Sequence, residues 1–179
     1  MLKFARTIGG VGRKLVLRNL GVSQTFAVGD AVEVYVQGAC TLGTAALPLL
    51  GVIASFADSK GNILRADAVV AGTASGNDKR SAVTDASNSD GYYAFVDIST
   101  STVYSAEMNG TLGTTVDSDK PGVRIDIDST NTDYGRLLET AATRTIGTPA
   151  NFYSHGVDSN DSTRLMVSLA MSEIYGVQE

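Results

Sequence analysis

One cysteine and one histidine, Cys40 and His155, are the residues of this 179-residue chain that could form a nucleophile–base pair. Cys40 lies in Gly-Ala-Cys-Thr-Leu, a pattern typical of a small buried side chain beside a turn. His155 lies in Tyr-Ser-His-Gly, which predicts a loop, and nothing in the sequence around either residue marks it as activated. We therefore expect no catalytic residue and no cofactor. A single cysteine also excludes an internal disulfide and a zinc site made of several cysteines.

Carboxylates are the second residue type with possible chemistry, and one stretch holds Asp117, Asp119, Asp126, Asp128 and Asp133. Several hard oxygen ligands suit calcium, and paired carboxylates are the catalytic groups of most glycoside hydrolases. The stretch lacks the glycine and glutamate of a calcium-binding loop, and the chain has no tryptophan on which a sugar would stack. We interpret Asp126 and Asp128 as the solvated outer face of a strand. A hydrolase that uses the Asp117–Asp133 cluster stays open as an alternative.

The basic side chains are unevenly placed. Five of the 14 lysines and arginines lie in the first 20 residues, which hold no acid, so the remainder carries the other nine against all 19 acidic residues. The run Gly9-Gly10-Val11-Gly12-Arg13-Lys14 is similar in composition to a phosphate-binding loop, but it lacks the glycine spacing and the hydroxyl residue after lysine. We predict that residues 1–20 form a flexible basic arm, poorly ordered in the free protein and ordered on docking.

Docking to another protein is the expected role of this arm. The candidate partner-binding residues are Lys3, Phe4, Arg6, Arg13, Lys14 and Arg18. Direct binding to nucleic acid is not expected, because Phe4 is the arm's only aromatic residue and the rest of the chain is acidic. The longest apolar stretch is too short to span a membrane, and arginines interrupt any N-terminal signal peptide, although an organelle transit peptide stays open.

The body, residues 21–179, has the periodicity of a β-protein. Apolar residues alternate with other residues in three segments, which predicts strands with one buried face. The side chains expected to point inward are Val32, Val34, Val36, Val123, Ile125, Ile127, Leu165, Val167 and Leu169. Recurrent turn signals favour an all-β fold, as a small barrel or sandwich body with the extended N-terminal arm.

Further elements follow from composition and turn residues. Strands are predicted over 49–56, 92–98 and 103–108, and either a strand or a short helix over 136–145. Residues 71–91 are rich in Gly, Ser, Asn, Asp and Ala. They predict a loop, or a link between two packed halves of the body.

Three segments carry a resemblance. They are FAVGDAVEVYV from Phe26, continued through residues 45–50 and Gly-Val-Ile-Ala; YYAFVDISTSTVYSAEMNGTL from Tyr92; and RLMVSLAMSEI from Arg164. In this order they resemble the head decoration proteins of tailed bacteriophages, also called cement or auxiliary capsid proteins. The resemblance implies an all-β body that assembles on a capsid, in many cases as a homotrimer, with a terminal arm extended over neighbouring subunits. It supplies no active site to carry over.

The function expected from these observations is that of a structural protein on the outer surface of a phage head. Its partners would be the major capsid protein and other copies of itself, and it would be made in the host cytoplasm. We expect it to need no metal, membrane or nucleic acid. Besides the hydrolase, a carbohydrate- or receptor-binding β module of a phage fibre stays open as an alternative.

Overall fold

The structure is a computed structural model that describes residues 2–9, 12–20, 24–34, 40–44, 49–58, 60–64, 82–85, 93–109, 112, 119–128, 137–143 and 151–170. Its strands are β1 (Lys3–Thr7), β2 (Leu15–Asn19), β3 (Gln24–Ala27), β4 (Ala31–Val34), β5 (Cys40–Leu42), β6 (Gly51–Ala57), β7 (Ala82–Asp85), β8 (Tyr93–Asp97), β9 (Thr102–Asn109), β10 (Arg124–Ile127), β11 (Leu137–Thr143), β12 (Phe152–Asp158) and β13 (Asp161–Leu169). These ranges contain no helix, and the predicted all-β class is confirmed. Accordingly, no helix among them is long and apolar enough to cross a membrane.

The first sheet has six strands in the order β1-β9-β11-β10-β12-β13. An additional pairing of β13 with β9 closes five of these strands into a ring, and β1 adds to the ring at β9. All pairs are antiparallel except β9 with β11, which is parallel. Because the strands of the ring pair on both sides, β1 is the edge strand of this sheet.

The second sheet has five antiparallel strands in the order β2-β8-β6-β4-β5. A parallel bridge between Leu20 and Cys40 links the end of β2 to the start of β5. A separate two-stranded ribbon consists of β3 and β7.

Two hydrophobic clusters lie on opposite faces of the second sheet. In β6, Val52 belongs to the first cluster and the next residue, Ile53, belongs to the second. Ala31 and Val32 in β4 divide in the same way, as the alternation of side chains along a strand requires. The first cluster also contains side chains of the first sheet, such as Ile125, so the two sheets pack face to face in a sandwich-like body.

Most of the side chains predicted to point inward are buried. They are Val32, Val123, Ile125, Ile127, Leu165, Val167 and Leu169, each at most 2% exposed. The prediction was wrong for Val34, the last residue of β4, which is 55% exposed. Val36 lies outside the described residues.

Two other elements differ from the predictions, and a third is decided between its two alternatives. His155 lies within strand β12 and not in a loop. The predicted loop 71–91 contains strand β7, and its other residues lie outside the described ranges. The chain passes from the second sheet to the first between β8 and β9, so the two sheets are not divided at 71–91. For 136–145, where a helix was the alternative, the structure has strand β11.

The N-terminal residues belong to the two sheets, which corrects the prediction of an arm separate from the body. β1 pairs antiparallel with β9, and β2 pairs antiparallel with β8. Leu2 is 3% exposed and packs in the first cluster, where its backbone N–H donates to Gly29 O at 3.3 Å. The glycine-rich segment between β1 and β2 thus connects the edge of one sheet to the edge of the other.

Candidate functional site

Arg13 lies in the segment that connects β1 of the first sheet to β2 of the second, and it binds Asp97 of β8. Its Nε donates to Oδ2 of Asp97 at 2.7 Å, and the Asp97 side chain is fully buried. The other carboxylate oxygen of Asp97 accepts the backbone N–H of Ser99 at 3.0 Å. The Arg13 guanidinium also lies 4.8 Å from the centre of the Phe4 ring, within range of a cation–π contact. Arg13, predicted to bind a partner, is therefore engaged within its own chain.

Asp97 also lies close to Tyr104, a residue of β9 in the first sheet. Burial raises the pKa of Tyr104 in β9, and the nearby Asp97 carboxylate raises it further. The Tyr104 ring is 1% exposed, so its hydroxyl stays protonated inside the body. This places the Arg13–Asp97 ion pair where β8 of one sheet meets β9 of the other.

Arg18 is half-buried beside Cys40 on the second sheet. Its Nη1 donates to the backbone carbonyl of Leu17 at 3.3 Å. Burial raises the pKa of the Cys40 thiol to about 12, although the positive charge of Arg18 opposes the shift. Cys40 is 0% exposed in the second cluster, so the prediction that it is a buried small residue is confirmed.

His155 lies on the other sheet, where its Nε2 is 2.8 Å from Oγ of Ser168. Burial lowers the pKa of His155, and the nearby Arg6 lowers it further, so the ring is neutral at pH 7. Cys40 is buried in the second cluster of the second sheet, and His155 is exposed on β12 of the first. The structure does not bring them together as a nucleophile and a base.

The remaining predicted docking residues lie at the surface among exposed apolar side chains. Phe4 is 51% exposed, Ile8 46%, Leu15 46% and Leu17 49%, and Lys3, Arg6 and Lys14 are exposed between them. We call these seven residues the N-terminal docking surface. Only three other large apolar side chains in the described ranges are comparably exposed: Val34, Ile63 and Val157.

A groove of about 630 Å³ opens beside this surface, between β1 and the β12–β13 hairpin. One wall is formed by the consecutive residues 3–6 of β1, and the other by His155, Val157 and the turn at 158–161. Ser105, Arg164 and Met166 line the groove from the paired strands β9 and β13. The groove therefore includes three of the residues that the sequence proposed for partner binding: Lys3, Phe4 and Arg6.

A hydrogen-bonded network around Arg164 holds one side of the groove. Arg164 donates from Nε to Oγ of Ser105 at 2.9 Å and from Nη2 to the Ser105 carbonyl at 2.7 Å. Its Nη1 forms an ion pair with Oε1 of Glu107 at 2.6 Å. Ser105 in turn donates from Oγ to Oδ2 of Asp158 at 2.5 Å. Because each link satisfies a buried or half-buried polar group, the network fixes the hairpin against β9.

Sequence reasoning missed this network. Ser105, Asp158 and Arg164 come from three strands, and the β13–β9 register that sets Arg164 opposite Glu107 has no local signal. The one available hint was Arg164 itself, an arginine placed directly before the alternating run of β13.

The aspartate cluster is dispersed in the structure. The backbone N–H of Asn151 donates to Oδ1 of Asp126 at 2.9 Å, and the Asn109 amide donates to the Asp128 carboxylate. Burial raises the pKa of Asp126, against the opposing hydrogen bond from Asn151. Asp128 is 0% exposed, so its interpretation as part of a solvated face was wrong.

Asp119 forms an exposed ion pair with Lys120 at 2.5 Å. Asp117 and Asp133 lie outside the described residues. Across the part of the chain that the structure describes, no group of three or more His, Cys, Asp or Glu side chains could hold a metal ion.

Comparison of the chain with models of protein families, with curated proteins and with solved structures gives no match. Its function is therefore argued from its own surfaces: a buried interior without an assembled catalytic pair in the described residues, and an N-terminal docking surface beside a groove.

Proposed function

We propose that the protein is a decoration protein that binds the outside of a tailed-bacteriophage head and bridges neighbouring subunits of the major capsid protein. The observation that carries this proposal is the N-terminal docking surface. Four large apolar side chains remain 46–51% exposed there, on strands that are otherwise well anchored. Large exposed apolar surfaces mark protein interaction sites, and four of the seven large apolar side chains that are exposed in the described residues belong to this one N-terminal segment.

The charges of this surface suit a protein partner. Lys3, Arg6 and Lys14 are exposed on the same N-terminal segment as the apolar side chains, and neither Arg13 nor Arg18 competes for the partner, since each has a contact within its own chain. These three cations would steer an acidic partner and fix its orientation. The exposed apolar side chains of the docking surface would supply most of the binding free energy.

Many weak contacts would make this a stabilising protein of the shell. Each copy docks on more than one capsid subunit, as a homotrimer at a local threefold position, so it binds the assembled lattice in preference to free subunits. The stabilised shell then resists the outward pressure of packaged DNA. The three segments that resemble head decoration proteins support this assignment.

Heads prepared with and without the protein test the proposal. We expect heads that carry it to retain their DNA to a higher temperature, measured as DNA release on heating. Equal release from both preparations, or the absence of the protein from purified heads, would refute the proposal.

A matched pair of variants links the effect to the docking surface. Leu17→Asp places a charge in its apolar part, whereas Val34→Asp makes the same change at another exposed apolar residue of the second sheet. We expect Leu17→Asp to bind decoration-free heads at least about tenfold more weakly than Val34→Asp, because a charge buried in an interface without a partner is costly. Equal binding of the two variants to heads would show that the N-terminal docking surface does not bind the capsid.

A further inference from the structure

We propose that the groove between β1 and the β12–β13 hairpin binds an extended acidic segment of a partner protein, in which a carboxylate lies next to an apolar side chain. The inference rests on the proposed function, because it specifies which part of an assembly partner the docking surface receives. It also stands on a separate observation, the composition of the groove.

The groove has the size and form of a binding site. Its volume of about 630 Å³ lies in the range of roughly 300–1,000 Å³ that is typical of ligand pockets. One wall is a stretch of extended backbone, residues 3–6, and the other is a hairpin held in place by the Arg164 network. A groove between two such fixed walls accepts an extended peptide without first having to be ordered.

The acids of the groove are ionised and accept hydrogen bonds from neutral groups of the chain. The Asp158 carboxylate accepts hydrogen bonds from Ser105 Oγ at 2.5 Å and from the backbone N–H of Asn160 at 2.9 Å. The Asp161 carboxylate accepts both the backbone N–H and the hydroxyl of Thr163, at 3.0 and 2.6 Å. The Arg164 guanidinium is paired with Glu107.

The cations of β1 are not engaged in this way. Lys3 and Arg6 are exposed on the wall of the groove and form no ion pair within 4 Å among the described residues, although the charge of Lys3 helps to lower the pKa of Asp161. The positive charge of the groove therefore lies on its β1 wall, where Lys3 and Arg6 flank apolar Phe4, and the carboxylates lie on the opposite wall. This favours a carboxylate as the ligand group, held between Lys3 and Arg6.

The apolar contact is supplied by two further side chains. Phe4 is 51% exposed and Val157 is 41% exposed, and both line the groove. An apolar side chain of the segment that packs against them would remove these surfaces from water. A nucleic acid would satisfy the cations but would gain little from the apolar Val157 side chain. For this reason the groove fits a peptide better than an oligonucleotide.

Fluorescence anisotropy with labelled synthetic peptides tests the inference on the full chain. The probes are an octapeptide of alternating Asp and Leu, one of alternating Lys and Leu, one of alternating Asp and Ser, and an oligothymidylate. We expect only the Asp–Leu peptide to bind measurably, with an affinity that falls as salt is added. Equal binding of the Lys–Leu peptide, tighter binding of the oligothymidylate, or no binding of the Asp–Leu peptide would overturn it.

Two pairs of variants locate the binding site. Arg6→Glu and Val157→Asp alter the groove, while Lys60→Glu and Ile63→Asp make the same changes at exposed residues of a turn on the second sheet. We expect each groove variant to weaken Asp–Leu binding about tenfold and each control to leave it unchanged. Circular dichroism of all four checks that they remain folded. Equal weakening in groove and control variants would refute the assignment to the groove.

The outcome is separable from that of the proposed function. If the protein protects heads but its groove binds none of the peptides, the groove inference fails and the decoration role stands. If the groove binds the Asp–Leu peptide but heads lack the protein, the decoration role fails instead.

Discussion

β6 in the middle of the second sheet and β1 at the edge of the first have opposite surroundings. β6 is covered on both faces, and five of its seven residues are buried. β1 has four of its five residues exposed, and its position is set by pairing with β9 and by the buried neighbour Leu2. The difference indicates that one strand holds the body together while the other is available to a partner.

The two surroundings follow from the residue types of each strand. GVIASFA is nearly continuous in apolar or small residues, as a strand buried on both faces requires. KFART places cations on both sides of a single aromatic residue, which no buried strand would tolerate without partners. Stability and recognition are therefore assigned to different strands, and substitutions should affect one property at a time.

The largest effect is expected from Gly51→Ala in β6. A Cβ at residue 51 would lie 2.3 Å from the backbone oxygen of Asp97 and 2.8 Å from Cγ1 of Val96, so β6 could not keep its present distance from β8. We expect the free energy of unfolding to fall by about 3 kcal/mol, measured by urea denaturation.

The matched control is Gly12→Ala between β1 and β2. A Cβ there meets no atom within 4 Å, and the backbone of Gly12 is not left-handed. We expect Gly12→Ala to change the free energy of unfolding by no more than about 0.5 kcal/mol. A similar loss of stability in both variants would show that the edge is packed as tightly as the centre.

The sequence predicts a strand well when the buried residues of that strand are apolar. The strands β6, β8, β9, β10 and β13 were predicted because their buried positions hold Val, Ile, Leu, Phe and Ala. β12 was missed because its buried positions are Phe152, Ser154, Gly156 and Asp158, three of which are polar or small. Hydrogen bonds, and not apolar burial, hold this strand, so its hydrophobic alternation is lost.

The candidate site was predicted in part, for a related reason. Lys3, Phe4 and Arg6 were identified from charge and composition, and the structure places all three at the groove. Arg13 carries the same charge, but its partner Asp97 lies 84 residues away, and no local pattern distinguishes a cation that pairs internally from one that faces a partner. The opposite wall of the groove depends on the missed strand β12.

A smaller loss of stability is expected from breaking the Arg13–Asp97 ion pair, which joins the N-terminal segment to β8. Arg13→Met removes the partner of the fully buried Asp97 carboxylate and leaves a charge within the body. We expect the free energy of unfolding to fall by about 2 kcal/mol, less than for a wholly buried pair because Arg13 is itself 28% exposed.

Lys14→Met is the control for this pair, since it removes the adjacent cation, which is exposed. It should change the free energy of unfolding by less than about 0.5 kcal/mol. If chemical denaturation finds the two variants equally stable, the ion pair does not anchor the N-terminal strands.

The smallest changes in stability are expected from replacing Glu33 or Glu107 by glutamine, and these changes should depend on pH. Glu33 in β4 is 6% exposed, and burial raises its pKa, against the opposing hydrogen bonds from the backbone N–H and hydroxyl of Thr44. A raised pKa means that the folded state favours the protonated form, so stability is lost as pH rises through the folded-state pKa.

Glu33→Gln is neutral at every pH and should therefore be more stable than the parent at about pH 7.5 and equal to it at about pH 3.5. For Glu107, the partner of Arg164 in β9, burial by itself raises the pKa, but nearby positive charge, that of Arg164 included, outweighs it and leaves the pKa lowered. Glu107→Gln should accordingly be less stable than the parent at about pH 7.5, and the difference should shrink as pH falls through the lowered pKa of Glu107. Urea midpoints at both pH values measure the two signs. The same sign for both glutamates would mean that the positive charge beside Glu107 does not outweigh the cost of its burial, so that β4 and β9 treat a carboxylate alike.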